Sequence, residues 1–315
     1  PSLETAQDLV REAKEAGGGR MLGDPVSRGR RMLFSRSALV FLSLLGIAGS
    51  TSAAGDVPDE SSARAPVPPP AIVELTIDSS GDRLPGHAYL AAGRGPHPTV
   101  VLLHGFPGNE RNLDLAQRFR RGGFNSVFFH YRGAWGAEGN YSIGGQQEDV
   151  AAVLRHLRTR ATELRVDPQR FTLLGHSLGG FTALAAGRRE TVACVGAMAP
   201  ANPALYRALD ADGRMTLEPR IAAYADSLFM LAGFDAGVMR AELAAAPAAE
   251  VDTRVFGPAL VGRSVMLVGG ERDRATPLGS VFRPIAERYA AVPGLALRSV
   301  VLDDDHSFSG SRTRL

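Results

Sequence analysis

Ser177, Asp273 and His306 occur in that order along the chain. A hydroxyl, a carboxylate and an imidazole are the three groups that nucleophilic attack on a carbonyl requires. Ser177 sits at the centre of Gly175-His176-Ser177-Leu178-Gly179-Gly180. The apolar residues 171–174 before it read as a buried parallel strand, and the Gly- and Ala-rich run 179–187 after it reads as a helix packed close to the sheet. A strand that turns sharply into a helix forces the residue between them into a strained backbone, and glycine on either side leaves room for the turn. The hydroxyl then stands at a helix N-terminus, where free N–H groups favour a developing negative charge.

A serine is a weak nucleophile without a base, and the base needs an acid to orient it. Of the seven histidines only His306 follows His176. It falls just past the last expected strand, residues 295–302, at the end of an open parallel sheet where sites are built. The acid is expected in the loop after the preceding strand, residues 264–268, which reads Glu271-Arg272-Asp273. Asp273 is the choice and Glu271 its rival. The second oxyanion donor is expected from His104-Gly105-Phe106-Pro107-Gly108, which follows the apolar strand 99–103. The backbone N–H groups of Phe106 and Leu178 would then share the oxyanion, with His104 bracing the turn. Trp135, in the Gly-rich loop 132–139, reads equally as a residue of the substrate cleft and as a packing residue. Asp303-Asp304-Asp305-His306 makes a poor metal site, because adjacent carboxylates on an extended loop point different ways. No metal and no cofactor are expected.

These residues need a frame. Strands are expected at 72–77, 87–91, 99–103, 126–131, 171–174, 192–198, 264–268 and 295–302, with helices at 113–121, 146–160, 179–187 and 279–290. Strands alternating with helices imply an α/β fold, a mostly parallel, doubly wound sheet covered on both faces. Residues 201–262 break that rhythm, are Ala-rich without a clear strand, and read as a helical cap inserted over the site. The 315 residues are 44% hydrophobic and 22% charged, ordinary for a globular chain, and a net charge of +2 implies no nucleic-acid partner. The one cysteine, Cys194, excludes an intrachain disulfide and lies in an apolar run that suits a buried thiol.

The motifs resemble those of the α/β-hydrolase superfamily over about residues 71–306. They are most similar to the bacterial serine-hydrolase branch related to prolyl oligopeptidases and acylaminoacyl peptidases, the serine aminopeptidase-like group. His104-Gly105-Phe106-Pro107-Gly108, His130-Tyr131-Arg132-Gly133, the glycines Gly136 and Gly139, the Ser177 elbow and the Asp273 and His306 loops occur in matching order. The resemblance implies an α/β-hydrolase fold, an acyl-serine intermediate, no cofactor, and a small ester or short peptide-like amide as substrate, with the ester favoured. It departs from the oligopeptidases in lacking a β-propeller before residue 71, and a closing helix after His306 is expected from the superfamily. The rival reading is a non-catalytic binding module on the same fold.

Ahead of this domain, residues 1–31 carry no assigned role. Arg30, Arg31 and Arg36, the apolar run 38–48 and the small residues up to Ala54 read as a signal peptide over 32–54. The apolar run is too short to span a membrane stably, so the protein is expected to be exported, periplasmic or secreted, with an uncleaved anchor as the alternative. Residues 55–70 read as a Pro-rich linker, and 71–315 as the hydrolase domain.

Overall fold

The computed structural model describes residues 67–315; the N-terminal extension, the signal segment and most of the expected linker lie outside the described residues. The end of that linker is tied to the domain, since the Pro68 carbonyl accepts a hydrogen bond from Gly93 N–H at 2.9 Å.

Eight strands form one sheet in the order β1-β2-β4-β3-β5-β6-β9-β10. They are β1 (Ala71–Ser79), β2 (Asp82–Leu90), β3 (His97–Leu103), β4 (Asn125–Phe129), β5 (Val166–His176), β6 (Cys194–Met198), β9 (Ser264–Gly270) and β10 (Ala296–Leu302). The first two pair antiparallel as a hairpin and β2 runs antiparallel to β4, while every pair from β4 to β10 is parallel. The parallel set begins at β3, steps to β4 on one side and then runs through β5, β6, β9 and β10 on the other, so the C-terminal ends of β3, β5, β9 and β10 lie along the same end of the sheet. Those ends carry Phe106, Ser177, Asp273 and His306.

The helices between strands are α1 (Leu113–Arg121), α2 (Gly145–Thr159), α3 (Leu178–Gly187) and α7 (Arg283–Ala290). In α2 the buried residues Val150, Val153, Leu154 and Leu157 recur at helical spacing and lie in the main core. All ten residues of α3 are buried, and its Gly and Ala side let it sit close on β5 and β6. Leu278–Phe282 forms a π-helical turn before α7, so the expected helix 279–290 is irregular in its first turn.

The two faces of the sheet are not equally covered. The larger core packs residues of α2, α3 and α7 on one face. On the other face one smaller cluster joins Leu115 of α1 to Met198, Val268, Leu302 and Phe308, and a second joins Ala116 to Val100, Leu102 and Phe128. Toward the β10 edge Met266 is 38% and Val301 44% exposed, so the expectation of full cover on both faces holds only in part among the described residues.

The inserted segment contains helices α4 (Pro219–Asp226), α5 (Ala236–Ala245) and α6 (Ala248–Val251). It also contains a short antiparallel hairpin, β7 (Arg207–Leu209) with β8 (Met215–Leu217), which corrects the expectation of a purely helical cap. Three-residue strands leave too little alternation to read from sequence. Several bonds fasten the cap to the domain, among them Glu250 with Arg188 at 2.8 Å and the Tyr289 hydroxyl donating to Thr253 O at 3.0 Å. Glu242 of α5 accepts from Ile143 N–H at 3.1 Å, from Ser142 Oγ at 2.8 Å and from Gly144 N–H, at the N-terminal end of α2. The Gly-rich loop after β4 also pairs with the cap, Trp135 N–H to Met230 O at 3.0 Å and Tyr141 N–H to Ala232 O at 2.9 Å.

Candidate active site

Ser177 joins β5 to α3 at φ 57° and ψ −121°, a left-handed backbone conformation that costs a non-glycine residue of order 1–3 kcal/mol. The surroundings hold it there. Its N–H donates to Met198 O at 2.9 Å, and its own carbonyl accepts from Gly180 and Ala201 N–H, each at 2.9 Å. The flanking glycines are demanded by space. A Cβ on Gly175 would collide with the Gly179 backbone, and one on Gly179 with the Leu103 and His104 carbonyls. The elbow is thus wedged against the start of the Phe106 loop, where a Cβ on Gly105 would come 3.0 Å from Ser177 Cβ.

His306 follows β10 and Asp273 follows β9, strands that lie side by side. The His306 Nδ1–H donates to Asp273 Oδ2 at 2.8 Å. Because Oδ2 accepts that bond, the proton stays on Nδ1 and Nε2 is left as the basic nitrogen, which is the tautomer a general base needs. Asp273 is itself held at both oxygens: Oδ1 accepts Ala275 and Thr276 N–H, each at 2.8 Å, and Oδ2 accepts the Thr276 hydroxyl at 2.7 Å. Burial alone would raise the Asp273 carboxyl, but the hydrogen bonds from His306 and Thr276 outweigh it and hold the group below its ordinary value. Glu271, the rival acid, is exposed. Asp303 pairs with Arg272 at 2.8 Å, and Asp304 and Asp305 accept backbone N–H groups of their own loop, so these three carboxylates shape the loop that carries His306.

Ser177 and His306 line one cleft of about 170 Å³, together with Gly105, Phe106, Pro107 and the cap residue Tyr224. Leu178 is the first residue of α3, and neither its N–H nor that of Phe106 donates to a protein acceptor among the described backbone bonds outside helices and strands. Two donors at a helix start and an adjacent loop can serve a developing oxyanion. His104 braces that loop as the sequence suggests: it is buried and its Nδ1–H donates to Gly105 O at 2.9 Å.

Trp135 is placed differently from a cleft residue. At φ 54° its indole N–H donates to Pro107 O at 2.8 Å and Arg111 lies over its ring at 5.5 Å, so it packs against the Phe106 loop and does not line the cleft. Sequence reasoning missed Thr276, His176, Tyr224 and Arg312. Thr276 had a signal, since Asp-x-x-Thr is the spacing of a carboxylate turned back on its own chain. The other three act across the tertiary fold and have none.

A model of the Alpha/beta hydrolase family matches residues 100–314. Among curated relatives, the uncharacterized protein YfhR of Salmonella typhimurium is 37% identical over 89 residues, 28% of this chain and 30% of that protein. YfhR of Escherichia coli K12 is 31% identical over 131 residues, 39% of this chain and 44% of that protein, so the chain matches under half the length of these relatives. Among solved structures, Est1E of Butyrivibrio proteoclasticus with ferulic acid bound superposes with a TM-score of 0.60 at 18% identity, covering 76% of this chain and 94% of that one. The esterase Pf2001 of Pyrococcus furiosus gives 0.53 at 17% identity, over 78% and 89% of the two chains. An alpha-beta serine hydrolase homologue of Coxiella burnetii gives 0.51 at 17%, over 77% and 92%. The likenesses to solved structures show the fold, and the family match over residues 100–314 shows that the chain belongs to the alpha/beta hydrolase family.

Proposed function

We propose that this protein is a serine hydrolase that cleaves a carboxylic ester through an acyl-serine intermediate. One observation carries the reading: Ser177, strained at its elbow, shares a cleft with His306, whose Nδ1 is 2.8 Å from Asp273. Ser177 Oγ attacks the carbonyl carbon while His306 Nε2 takes its proton. Negative charge moves to the carbonyl oxygen and is met by the Phe106 and Leu178 N–H groups. His306 returns the proton to the departing alkoxide, and the alcohol leaves. Water then attacks the acyl-serine by the same path in reverse, with His306 as base and then acid, and frees the carboxylic acid.

The ester is favoured over the amide because the carboxylate lining the cleft, Glu110, is taken up by its own loop, accepting Asn112 N–H at 2.7 Å, and does not stand ready for a peptide amino terminus. The cleft wall of Phe106 and Tyr224, edge to face at 5.6 Å, suits an apolar acyl group. Est1E, which shares the fold, was solved with ferulic acid. The order of motifs supports a place beside the oligopeptidase-like serine hydrolases. The basic and apolar residues 30–54 support export.

The test is Ser177→Ala with fluorophosphonate labelling and a panel of acyl esters beside aminoacyl amides. The expected result is labelling of the native protein at Ser177 and loss of several orders of magnitude in ester turnover for the folded variant. Turnover retained within about tenfold overturns the assignment, and so does a native protein that takes no label.

A further inference from the structure

The cleft that holds Ser177 adjoins a second, larger groove of about 500 Å³, and Asn109, Glu110 and Ser307 line both. Three ionic groups of the groove spend their charge on one another. Arg312 pairs with Asp114 through two nitrogens and stands 3.8 Å from Glu110, whose Oε1 also takes the Asn112 N–H at 2.7 Å. The fourth, Arg111, also lines the groove and is half-buried. Its guanidinium has neither a carboxylate nor a hydrogen-bond acceptor among the described residues.

That guanidinium is held on a platform. It lies over the Trp135 ring, 5.5 Å from the ring centre. Trp135 has a strained φ of 54°, and it is fixed there by its backbone N–H to Met230 O at 3.0 Å and its indole N–H to Pro107 O at 2.8 Å. Pro107 is itself a wall of the catalytic cleft, so the indole links the guanidinium to the place where Ser177 works. The neighbouring rings do not neutralise the charge. Burial first, and then the charge of Arg111, hold the His87 imidazole below its ordinary value and push His130 down to about 4.

Stacking on an aromatic face fixes the plane of a guanidinium and leaves its edge, with paired N–H donors, for a planar oxyanion. One negative charge matches it and two do not. Glu110 and Asp114 line the same groove, and a dianionic phosphate would set excess negative charge beside them. The apolar wall of Phe106 and Tyr224 takes the acyl group, which leaves the groove to the other side of the ester.

We infer that Arg111 binds a carboxylate carried on the alcohol part of the substrate, so that the leaving group is a hydroxy acid. The inference rests on the serine-esterase reading above and adds the class of leaving group.

The test uses butyrate esters of hydroxy acids in which one to four methylenes separate the ester oxygen from the carboxylate. Each is paired with its carboxamide, which has the same shape and no charge, and butyrylcholine is the cationic counterpart. At one chain length or more, the wild-type kcat/KM is expected to favour the carboxylate over the carboxamide by at least about tenfold, mostly through KM. Added salt should shrink that preference. Arg111→Met keeps a stem over Trp135 without the charge and is expected to bring the ratio to about one, while Arg111→Lys retains part of it. Labelling of Ser177 by a fluorophosphonate confirms that each variant is folded, and the wild-type series needs no variant. A wild-type ratio near one at every length, a preference for butyrylcholine over the carboxylates, or a ratio unmoved in labelled Arg111→Met protein overturns the carboxylate site while the esterase reading stands. If no ester is cleaved and Ser177 takes no label, the esterase reading falls and this inference falls with it.

Discussion

The Nε2 of His176 lies 2.7 Å from the carbonyl oxygen of His306, and the two rings are 4.7 Å apart. A carbonyl only accepts, so His176 carries its proton on Nε2 and fixes the backbone of the base from beneath. It must also stay neutral, since a charge there would oppose the imidazolium that His306 becomes in the reaction. Burial, helped by the neighbouring His306, pushes the His176 imidazole down to about 4.

The first prediction follows from that neutrality. Burial also pushes His104 to about 3 and His130 to about 4. Unfolded, all three titrate near 6.5. Between that value and about 4 the unfolded chain binds protons that the folded chain refuses, so stability is full above pH 6.5 and falls as pH is lowered. Each histidine contributes at most about 1.4 kcal/mol per pH unit in that window. The lowered Asp273 acts only further down, as pH falls below its ordinary value near 3.8. Urea unfolding at pH 7.5 and pH 5 should show the loss, and His176→Asn should flatten its slope. Equal stability at both pH values contradicts the assignment of these rings as neutral.

Asp273→Asn tests the orientation of the base. Asp273 Oδ1 accepts two backbone N–H groups, and an asparagine oxygen will keep that place. Its NH₂ then faces His306 Nδ1 and the Thr276 hydroxyl, which turns His306 into the tautomer with its proton on Nε2. That nitrogen can no longer take the Ser177 proton. The corresponding change in a triad of the same logic costs about 10⁴ in turnover, and at least about a hundredfold is expected here. Asp303→Asn and Glu271→Gln should cost far less, because both side chains are exposed and neither is bonded to His306. An ester assay in which either of them proves worse than Asp273→Asn reassigns the acid.

A glycine of the elbow and one of the π-helical turn before α7 give a contrast in stability. At Gly179 a methyl group would meet the Leu103 and His104 carbonyls, which belong to the backbone and cannot swing aside. At Gly279 nothing lies within 4 Å and the backbone is not left-handed. Gly179→Ala should cost several kcal/mol or prevent folding. Gly279→Ala should stay within about 1 kcal/mol of wild type, on the stabilising side if the chain's lost freedom dominates. Thermal unfolding of the pair decides it, and a Gly179→Ala protein as stable as wild type contradicts the close fit of elbow and Phe106 loop.

How much of this was legible beforehand depends on how far each feature reaches along the chain. The strands and the elbow are local: the run Phe171 to Leu174, the glycines around Ser177 and the helical spacing of Val150, Val153, Leu154 and Leu157 each announce themselves within a dozen residues. The pairing of His306 with Asp273 followed from strand order, because loops of neighbouring parallel strands must meet. The β7–β8 hairpin was lost because three residues carry no period. Trp135 went either way because a loop aromatic beside glycines looks the same whether it faces the cleft or, as here, bonds the Pro107 carbonyl. His176 and Arg312 could not be read at all, since their partners are 130 and about 200 positions distant.

Arg312 supplies the last prediction. Its Nε donates to Asp114 Oδ2 at 2.8 Å, and one terminal nitrogen donates both to Asn112 Oδ1 at 3.0 Å and to the Ser307 carbonyl at 3.2 Å. One side chain therefore ties the loop of the base to the segment that runs from the oxyanion loop into α1. His306 and Phe106 must approach the same substrate carbonyl from these two loops, and an error of about 1 Å in such an alignment can cost on the order of a hundredfold in rate. Arg312→Ala should slow both ethyl ester turnover and fluorophosphonate labelling of Ser177 by about ten- to a hundredfold, mostly in kcat. Arg312→Lys should recover little, because a single ammonium cannot meet the two carboxylate oxygens and the two neutral acceptors together. Added guanidinium at low millimolar concentration should restore part of the labelling rate of the alanine variant, which a purely structural loss of stability would not allow. An alanine variant that labels at the wild-type rate removes Arg312 from the positioning of the base.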